Sequence, residues 1–334
     1  MPFYGAEYTP TGFTTPCCLL DPTADVKDVQ NDMLNSRRSP ACNTCWKLED
    51  QGKVSDRLLK NSAFDFFADK DIRYVEEDCK NGNFSPKIIK LYTSNLCNST
   101  CVTCNSHWST AWATLKKEKT FKIINDSLLD QLDCANIEIL SFVGGEPLYE
   151  KKNFAILERL IAVGNQDCFI TFVTNGSTVL TEYQKHILKN FSNLNICLSI
   201  DGIDSRFEYI RYPLKWNDLL ENIDFYRQHD IDLSVSYTIS NLNIFYYAET
   251  IKWFNHQGLS FNHNLITDPV HFEINSLPKA IKDTIDYELF REHQDQDDMN
   301  FKKFLEEIHN QDRLKNISLD NYLPEFSRLI RQNT

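Results

Sequence analysis

The sequence has no long apolar run and no excess of positive charge, and it does not begin with a basic segment followed by an apolar one. None of its apolar stretches approaches the roughly 20 residues that a helix needs to cross a bilayer, so we expect no membrane-spanning segment. The first residues, Met1-Pro2-Phe3-Tyr4, lack the basic and apolar regions of a signal peptide. The formal net charge of −12 argues against a broad nucleic-acid-binding surface.

Cysteine, in contrast, is abundant. The 334 residues include 11 cysteines, an odd number, and these cysteines are clustered along the chain. With no export signal beside them, they favour metal ligation in a reducing compartment over a disulfide framework. The 42% hydrophobic and 25% charged composition is that of an ordinary soluble protein. We therefore expect a cytoplasmic protein with one large domain and a smaller one.

Three of the cysteines stand close together after a strand-like run, Ile88–Tyr92. Cys97, Cys101 and Cys104 have the spacing C-x3-C-x2-C. Three thiolates on one short loop can hold three irons of a 4Fe–4S cluster, which leaves the fourth iron open to a small molecule. The alternatives are a zinc loop or three unrelated thiols. Zinc sites usually close with four ligands in paired C-x2-C groups, and no second pair follows this triplet.

A second group of cysteines lies in the irregular region 1–85. Cys17 and Cys18 are adjacent, and Cys42 and Cys45 form a C-x2-C pair further along the chain. These four thiols predict a metal site that either zinc or a second iron–sulfur cluster would fit. The alternative is a small cap that contains incidental thiols.

From Lys87 onwards, strand-like and helix-like runs alternate. The strand-like runs are Ile88–Tyr92, Ile137–Val143, Phe169–Val173, Ile196–Ile200, Leu233–Ile239 and Phe261–Ile266, and the helical patterns are Trp108–Lys119, Phe154–Val163, Glu182–Asn190, Leu219–Gln228 and Ile244–His256. This alternation predicts an α/β fold with a parallel sheet. Six such units fit an open, partial (βα)6 TIM-like barrel, and a doubly wound sheet would give the same pattern. Small or polar residues end nearly every strand, as expected at the active-site face of a β/α barrel and also in ordinary turns.

The region from about Ser276 onwards is charged and helical in pattern. Phe301, Phe304, Leu305 and Ile308 follow the i, i+3, i+4, i+7 spacing of one apolar helix face. We expect this face to pack on the barrel.

The cysteine triplet resembles the signature of the radical S-adenosylmethionine (SAM) enzymes, and three further motifs strengthen the resemblance. Gly144-Gly145-Glu146-Pro147 follows the second strand, and Asn175 follows the third. Ser199-Ile200-Asp201-Gly202 ends the fourth strand, and Arg211 stands nine residues after its glycine. The family usually places an aromatic residue directly after the third cysteine, whereas this sequence has Asn105, with His107, Trp108 and Trp112 further on.

The resemblance implies a role for each of these positions. The triplet would hold a SAM-binding 4Fe–4S cluster, whose electron cleaves SAM to a 5′-deoxyadenosyl radical. Gly144-Gly145-Glu146-Pro147 would bind the amino group of SAM, and Arg211 its carboxylate, which suits a fork-shaped guanidinium. Ser199 and Asp201 would lie near the ribose, and Asn175 would face the ribose or methionine end.

The first part of the chain is similar to a narrower group, in which a twitch-type (SPASM-related) auxiliary-cluster domain precedes the barrel. The matching positions are Gly12, Cys17, Cys18, Cys42, Cys45, Glu49, Gly52, Ser55 and Arg57. Such domains often carry a further cysteine shortly before the glycine, where this sequence offers only Tyr4. An auxiliary 4Fe–4S cluster would then be held by Cys17, Cys42 and Cys45, with Cys18 or Cys79 as a fourth ligand or with one iron open.

Together these resemblances predict a radical SAM enzyme with three parts: an auxiliary-cluster domain in residues 1–85, a partial barrel in 86–275 and a helical extension in 276–334. The expected reaction begins with abstraction of a hydrogen atom from a substrate. A peptide or protein side chain is the leading substrate class, and the alternative is a sugar, amino acid or nucleoside. A flavodoxin or ferredoxin is the expected electron donor. A non-enzymatic metal-binding protein is the remaining alternative.

Overall fold

A computed structural model of the chain describes residues 3, 5–10, 14–17, 19–21, 23–52, 54–59, 62, 81, 86–285 and 298–332. Cys18 and Cys79, as well as Tyr4 and Gly12, lie outside these residues. The chain divides into two compact units. The first comprises residues 1–95, 122–172 and 180–194, and the second comprises residues 96–121, 173–179 and 195–334.

Eight strands are described. In chain order they are β1 (Gly5–Tyr8), β2 (Thr14–Thr15), β3 (Ile88–Tyr92), β4 (Ile139–Val143), β5 (Phe169–Thr174), β6 (Leu194–Ser199), β7 (Asp232–Ile239) and β8 (Ser260–Leu265).

The helices fill the intervals between the strands. In chain order they are α1 (Val26–Leu34), α2 (Asn43–Asp50), α3 (Thr110–Leu115), α4 (Asp126–Leu129), α5 (Lys151–Ala162), α6 (Glu182–Leu188), α7 (Ser205–Ile210), α8 (Trp216–Gln228), α9 (Tyr247–His256), α10 (Lys279–Lys282), α11 (Asp298–Lys315), α12 (Leu319–Tyr322) and α13 (Pro324–Gln332). Short 3-10 turns occupy Pro40–Cys42, Ile244–Tyr246, Val270–Phe272 and Ile274–Ser276.

The strands of the first unit lie in the order β2-β1-β3-β4-β5, and only the β1–β2 pair is antiparallel. Side chains of β3 and β4 alternate between buried and half-buried positions, as the two-residue repeat of a strand requires. Phe142 of β4 stacks on Phe172 of β5 with ring centroids 4.6 Å apart, and Phe154 of α5 packs on Phe172 at 6.0 Å. These three rings form the centre of the core in this unit.

The second unit contains β6, β7 and β8 as parallel neighbours in chain order. Its core continues into the C-terminal helices, where Phe304 of α11 is fully buried. The Phe304 ring packs edge-to-face on Phe272 at 5.8 Å and lies 6.4 Å from Phe326 of α13. The predicted apolar face of the C-terminal region is therefore present, with Phe301 and Ile308 also buried and Leu305 half-buried.

The predicted α/β fold with an open, TIM-like repeat of strands and helices is confirmed, because the described strands do not close into a barrel. Within each unit the strands from β3 onwards lie in chain order, whereas a doubly wound sheet reverses its order at a switch point. All six predicted strands are present, with ends that differ by at most two residues from the predicted ones. The additional parallel strand β1 was not predicted, and it pairs with β3 over Gly5–Tyr8.

In the described part of the chain, no helix is both long and apolar enough to cross a membrane.

Candidate functional site

The loop that carries Cys97, Cys101 and Cys104 belongs to the second unit and lies between β3 and α3 in the sequence. Two backbone hydrogen bonds join it to the end of α7 and to the residues that follow this helix. Thr100 N donates to the Tyr212 carbonyl at 2.6 Å, and Val102 N donates to the Ile210 carbonyl at 2.8 Å. These bonds flank Arg211, so the loop and the arginine are held in one fixed arrangement.

Hydroxyl groups fix the conformation of this cysteine loop. The Thr110 hydroxyl accepts from Cys97 N and donates to the Cys97 carbonyl, both at 3.0 Å. Ser109, which caps α3, donates to the Ser99 carbonyl at 2.7 Å. The Ser99 hydroxyl lies 3.2 Å from the sulfur of Cys97 and 3.4 Å from that of Cys101. The Ser99 hydroxyl therefore lies within hydrogen-bonding distance of two of the three thiols.

The three thiols are half-buried and influence one another electrostatically. Burial raises the pKa of Cys104 to about 12, with a further contribution from neighbouring Cys101 and Cys97 that Arg211 partly offsets. Crowded thiols of this kind resist ionisation on their own, whereas metal binding holds such groups as thiolates.

Arg211 and Asp201 form a buried ion pair. Nη2 of Arg211 lies 2.7 Å from Oδ2 of Asp201, and Oδ1 of Asp201 accepts from Thr238 N at 2.9 Å. Nη1 of Arg211 lies 3.9 Å from the sulfur of Cys101. Burial lowers the pKa of Arg211, but the Asp201 carboxylate and the Cys101 thiol outweigh burial, so the pKa lies above its ordinary value. The guanidinium therefore stays charged beside the cysteine loop.

Asn175 also contacts the cysteine loop. Its Nδ2 donates to Oδ1 of Asn98 at 2.8 Å, and its own Oδ1 accepts from the backbone and hydroxyl of Ser177. Nδ2 of Asn98 donates to the Ser177 hydroxyl at 2.8 Å, which closes the network. The structure thus gives Asn175 a contact that holds the cysteine loop, which the sequence did not indicate.

Ser199 is the last residue of β6, where it is half-buried and pairs with Ser236 of β7.

The Gly144-Gly145-Glu146-Pro147 motif forms a tight turn in the first unit, directly after β4. Gly144 has φ +120°, and a Cβ placed on it would lie 2.6 Å from the Ser94 carbonyl oxygen, so glycine is required there. Gly145 N donates to the same carbonyl at 3.0 Å. Glu146 is buried, and its Oε1 accepts from Leu148 N at 3.1 Å. Asn153 of α5 supports the turn by donating to the Pro147 carbonyl at 2.8 Å.

Cys17, Cys42 and Cys45, also in the first unit, line one pocket together with Leu20 and Arg57. Burial raises the pKa of Cys42 to about 11, and the neighbouring thiols of Cys17 and Cys45 contribute to the increase. The three thiols that the sequence assigned to one site therefore lie together, while Cys18 and Cys79 are outside the described residues.

Other residues of the first-unit motif form one network beside this pocket. Glu49 accepts hydrogen bonds from the Ser55 hydroxyl at 2.5 Å and from both Nε and Nη2 of Arg57, at 3.0 and 2.6 Å. The Arg57 guanidinium lies 4.5 Å from the centre of the Trp46 ring. The motif residues thus brace α2, which carries Cys45.

The remaining cysteines fit a structural role. Cys134 and Cys168 are buried, and burial raises the pKa of Cys168 to about 12. Cys197 on β6 is half-buried.

Three observations test whether this chain fits a cluster and SAM. Among the described residues, no three Cys, His, Asp or Glu side chains are placed to hold a single metal ion. The thiolates of a 4Fe–4S cluster each bind a different iron, so this absence concerns a site for a single ion and not a cluster. Nε of Arg211 is buried with no partner in the described chain, so one donor remains for a ligand. The Gly144 turn leaves no room for a side chain because it packs on the Ser94 carbonyl, so the need for glycine there does not by itself indicate a ligand.

Sequence reasoning missed several residues of this site. Ser99 contacts two thiols and Thr110 bonds the backbone of Cys97. From α11, Gln311 bonds the Val102 carbonyl of the loop, and Lys315 lies over the Trp112 ring of α3. The polar run Asn98–Thr100 within the loop was a signal for the hydroxyl contacts. No local pattern identified Gln311 or Lys315, because their contacts join segments far apart in the sequence.

Residues 91–254 match the family model of the Radical SAM superfamily. The chain therefore carries a radical SAM domain, and the prediction of an enzyme is confirmed. The family implies a 4Fe–4S cluster and SAM as cofactors. No curated protein matches the sequence.

Solved structures are similar at low sequence identity. Native anSMEcpe with bound AdoMet is 17% identical, with a TM-score of 0.43, over 69% of this chain and 62% of that chain. SuiB from Streptococcus suis is 14% identical, with a TM-score of 0.44, over 74% of this chain and 52% of that chain. SuiB bound to its precursor peptide SuiA is 13% identical, with a TM-score of 0.44, over 90% of this chain and 64% of that chain. The chain thus covers less than two thirds of the length of each of these structures.

Proposed function

We propose that this protein reductively cleaves SAM and abstracts a hydrogen atom from a peptide or protein side chain, as a step in peptide maturation. The arrangement that carries the proposal is the cysteine loop, in which the Ser99 hydroxyl lies beside the sulfurs of Cys97 and Cys101, and Arg211 lies 3.9 Å from the sulfur of Cys101. The family match over residues 91–254 supports the cleavage of SAM, and it leaves the substrate class to experiment. When bound, the cluster supplies the electron that breaks a carbon–sulfur bond of SAM.

The chain's own residues bind and orient these groups. Cys97, Cys101 and Cys104 would each hold one iron, and the bonds from Thr110 and Ser109 fix the loop that carries them. Arg211 would donate to the SAM carboxylate, with Asp201 holding the guanidinium in place. The turn Gly144–Pro147 would take the SAM amino group, and Ser199 and Asn175 would lie along its ribose and methionine parts.

We further propose that the first-unit thiols hold an auxiliary 4Fe–4S cluster in a twitch-type domain of residues 1–85, which precedes the radical SAM domain of 86–275 and the helical extension of 276–334. The common pocket of Cys17, Cys42 and Cys45 supports this proposal. So does the Glu49–Arg57 network, since it is formed by residues of the motif that suggested the domain. In a reducing compartment such as the cytoplasm, a flavodoxin or ferredoxin would supply electrons.

The experiment uses the full chain, reconstituted anaerobically with iron and sulfide and reduced in the presence of SAM. The proposal predicts release of 5′-deoxyadenosine, and loss of that release in Cys97→Ala. Cys197→Ala, which changes a thiol remote from the loop in sequence, should retain it. A protein that holds only zinc and releases no 5′-deoxyadenosine would refute the proposed function.

The substrate class is tested with the peptides encoded beside the gene. A mass change in such a peptide that depends on both SAM and reductant supports peptide maturation. A peptide that stays unchanged while a sugar, amino acid or nucleoside is converted would replace the peptide with a small molecule.

The role of Arg211 is tested with Arg211→Lys, which retains a charge for Asp201 but loses the planar fork that suits a carboxylate. We expect weaker SAM binding with unchanged iron content. Equal SAM affinity in the variant and the parent protein would assign Arg211 a structural role only.

A further inference from the structure

The last turn of α11 lies against the cysteine loop. Nε2 of Gln311 donates to the Val102 carbonyl at 2.9 Å, and Nζ of Lys315 donates to Oε1 of Gln311 at 2.8 Å. Gln311 and Lys315 are 3% and 5% exposed, so this contact excludes solvent. Helix α11 therefore holds a buried amine next to Gln311, the residue that bonds the cysteine loop.

An aromatic ring connects this amine to a cluster ligand. Nζ of Lys315 lies 4.7 Å from the centre of the Trp112 ring, and Nε1 of Trp112 donates to the Cys101 carbonyl at 2.9 Å. A cation over the face of a tryptophan is attracted by the ring quadrupole. Lys116 also approaches this ring, at 5.0 Å, but Lys116 is exposed and its charge is screened by water.

The burial of Lys315 is costly. An ammonium group removed from water prefers to lose its proton, and burial accordingly lowers the pKa of Lys315 to about 8. Cys101 opposes this effect most strongly, followed by Asp312, Glu307 and Cys104. The contact with the Trp112 ring and the hydrogen bond to Gln311 both favour the charged ammonium group, and methionine would fill a comparable volume without the cost of burying a charge.

We infer that Lys315 is a positioning residue that tunes the redox potential of the SAM-binding cluster, with α11 holding its buried cation beside the cysteine loop. This inference rests on the proposed function, since it requires a cluster on Cys97, Cys101 and Cys104. Reduction adds one electron to the cluster, and a nearby cation stabilises the more negative state. Net charge and solvent exposure are among the properties that set the potential of an iron–sulfur cluster, and burial prevents water from screening the charge.

The test is a redox titration of the reconstituted full chain at pH 7, without SAM, against a one-electron reductant with low-potential mediators. The reduced cluster is detected by its electron paramagnetic resonance (EPR) signal. In Lys315→Met we expect a more negative midpoint potential. At a fixed applied potential, the ratio of reduced to oxidised cluster should fall about tenfold, which corresponds to about 59 mV for a one-electron couple.

Three variants separate charge from packing. Lys302→Met removes an exposed charge from the same helix, about 20 Å from Lys315 at 1.5 Å per residue, and should leave the potential unchanged. Lys315→Arg retains the charge and should stay close to the parent potential. Lys315→Gln removes the charge but retains a hydrogen-bonding group, and should shift the potential in the same direction as Lys315→Met.

The outcomes are distinct from those that test the proposed function. An unchanged potential in Lys315→Met with full iron content would overturn the inference while leaving the proposed function intact. A shift in Lys315→Met that is absent from Lys315→Gln would assign the effect to packing and would also overturn it. A parent protein without a reducible cluster would refute the proposed function itself.

Discussion

At the scale of single residues, Arg211 has the most demanding surroundings in the candidate site. Its guanidinium is paired with Asp201, lies beside the Cys101 sulfur, and follows Ile210, whose carbonyl holds the cysteine loop. Removing one partner from a buried ion pair leaves an uncompensated charge, which costs more than the pair itself contributes. We therefore expect Arg211 to stabilise the fold, in addition to binding any ligand.

We predict that Arg211→Ala lowers the free energy of unfolding by about 3–5 kcal/mol, because Asp201 is then buried without a partner. Urea denaturation of the protein without cofactors measures this loss. Combining Arg211→Ala with Asp201→Asn should recover part of it.

The control for this prediction is an exposed ion pair. Arg331 and Asp320 lie 2.6 Å apart with 61% and 51% of their side chains exposed. Arg331→Ala should therefore cost no more than about 1 kcal/mol. Equal losses in the two arginine variants would contradict a stabilising role for the buried pair.

The sequence located Asp201 and Arg211 through a motif, but it did not predict that they pair. Each was assigned to a different part of SAM, and those assignments stay predictions. A motif gives residue types and their spacing along the chain, whereas pairing depends on how α7 turns the chain between the two positions. Asn175 is a similar case, because its partner Asn98 lies on a segment far away in the sequence.

At the scale of elements, α11 has two functions, and its apolar face indicates only the first of them. Phe304 packs into the core of the second unit, whereas Gln311 bonds the Val102 carbonyl of the cysteine loop and Lys315 lies over the Trp112 ring. The i, i+3, i+4, i+7 pattern predicted the first function because burial of an apolar face has a period. The second function depends on two isolated polar residues, and their positions follow no such period.

Phe304→Ala should lower the free energy of unfolding by about 3–5 kcal/mol, as truncation of a fully buried aromatic side chain typically does. Denaturant titration measures the loss. Met299→Ala on the same helix is the matched control, since Met299 is 77% exposed and its truncation should cost little. A loss below about 1 kcal/mol in Phe304→Ala would show that α11 does not pack as described.

Strand β1 marks the limit of pattern-based prediction at this scale. The strands from β3 onwards come from strand-like runs that alternate with helices, and these were predicted within two residues. Strand β1 has only four residues, Gly-Ala-Glu-Tyr, and forms through its pairing with β3. So short a segment carries too little periodicity to identify, and tertiary pairing decides its structure.

At the scale of the whole molecule, the account requires two separate groups of cysteines with different functions. Cys17, Cys42 and Cys45 belong to the first unit, and Cys97, Cys101 and Cys104 belong to the second. Because the two groups lie on different segments, the loss of one should leave iron binding by the other intact.

We predict that Cys42→Ala combined with Cys45→Ala removes about four irons per chain, which is the content of one 4Fe–4S cluster. Cleavage of SAM without substrate should survive, and turnover of the true substrate should fail. Iron analysis and product chromatography after anaerobic reconstitution measure both effects.

The matched control replaces two buried thiols of the same unit, Cys134 and Cys168, with alanine. These substitutions should leave the iron content unchanged. Full iron content in the Cys42/Cys45 variant would instead indicate that the first unit holds no cluster.

Low-temperature EPR can show whether the cysteine loop holds a 4Fe–4S cluster with one iron open to SAM. The reduced, reconstituted Cys42→Ala/Cys45→Ala protein isolates the cluster of the second unit. We expect a reduced-cluster signal whose shape changes when SAM is added, and the loss of this signal in a further Cys104→Ala variant. A signal that SAM does not alter, or that persists without Cys104, would contradict this expectation.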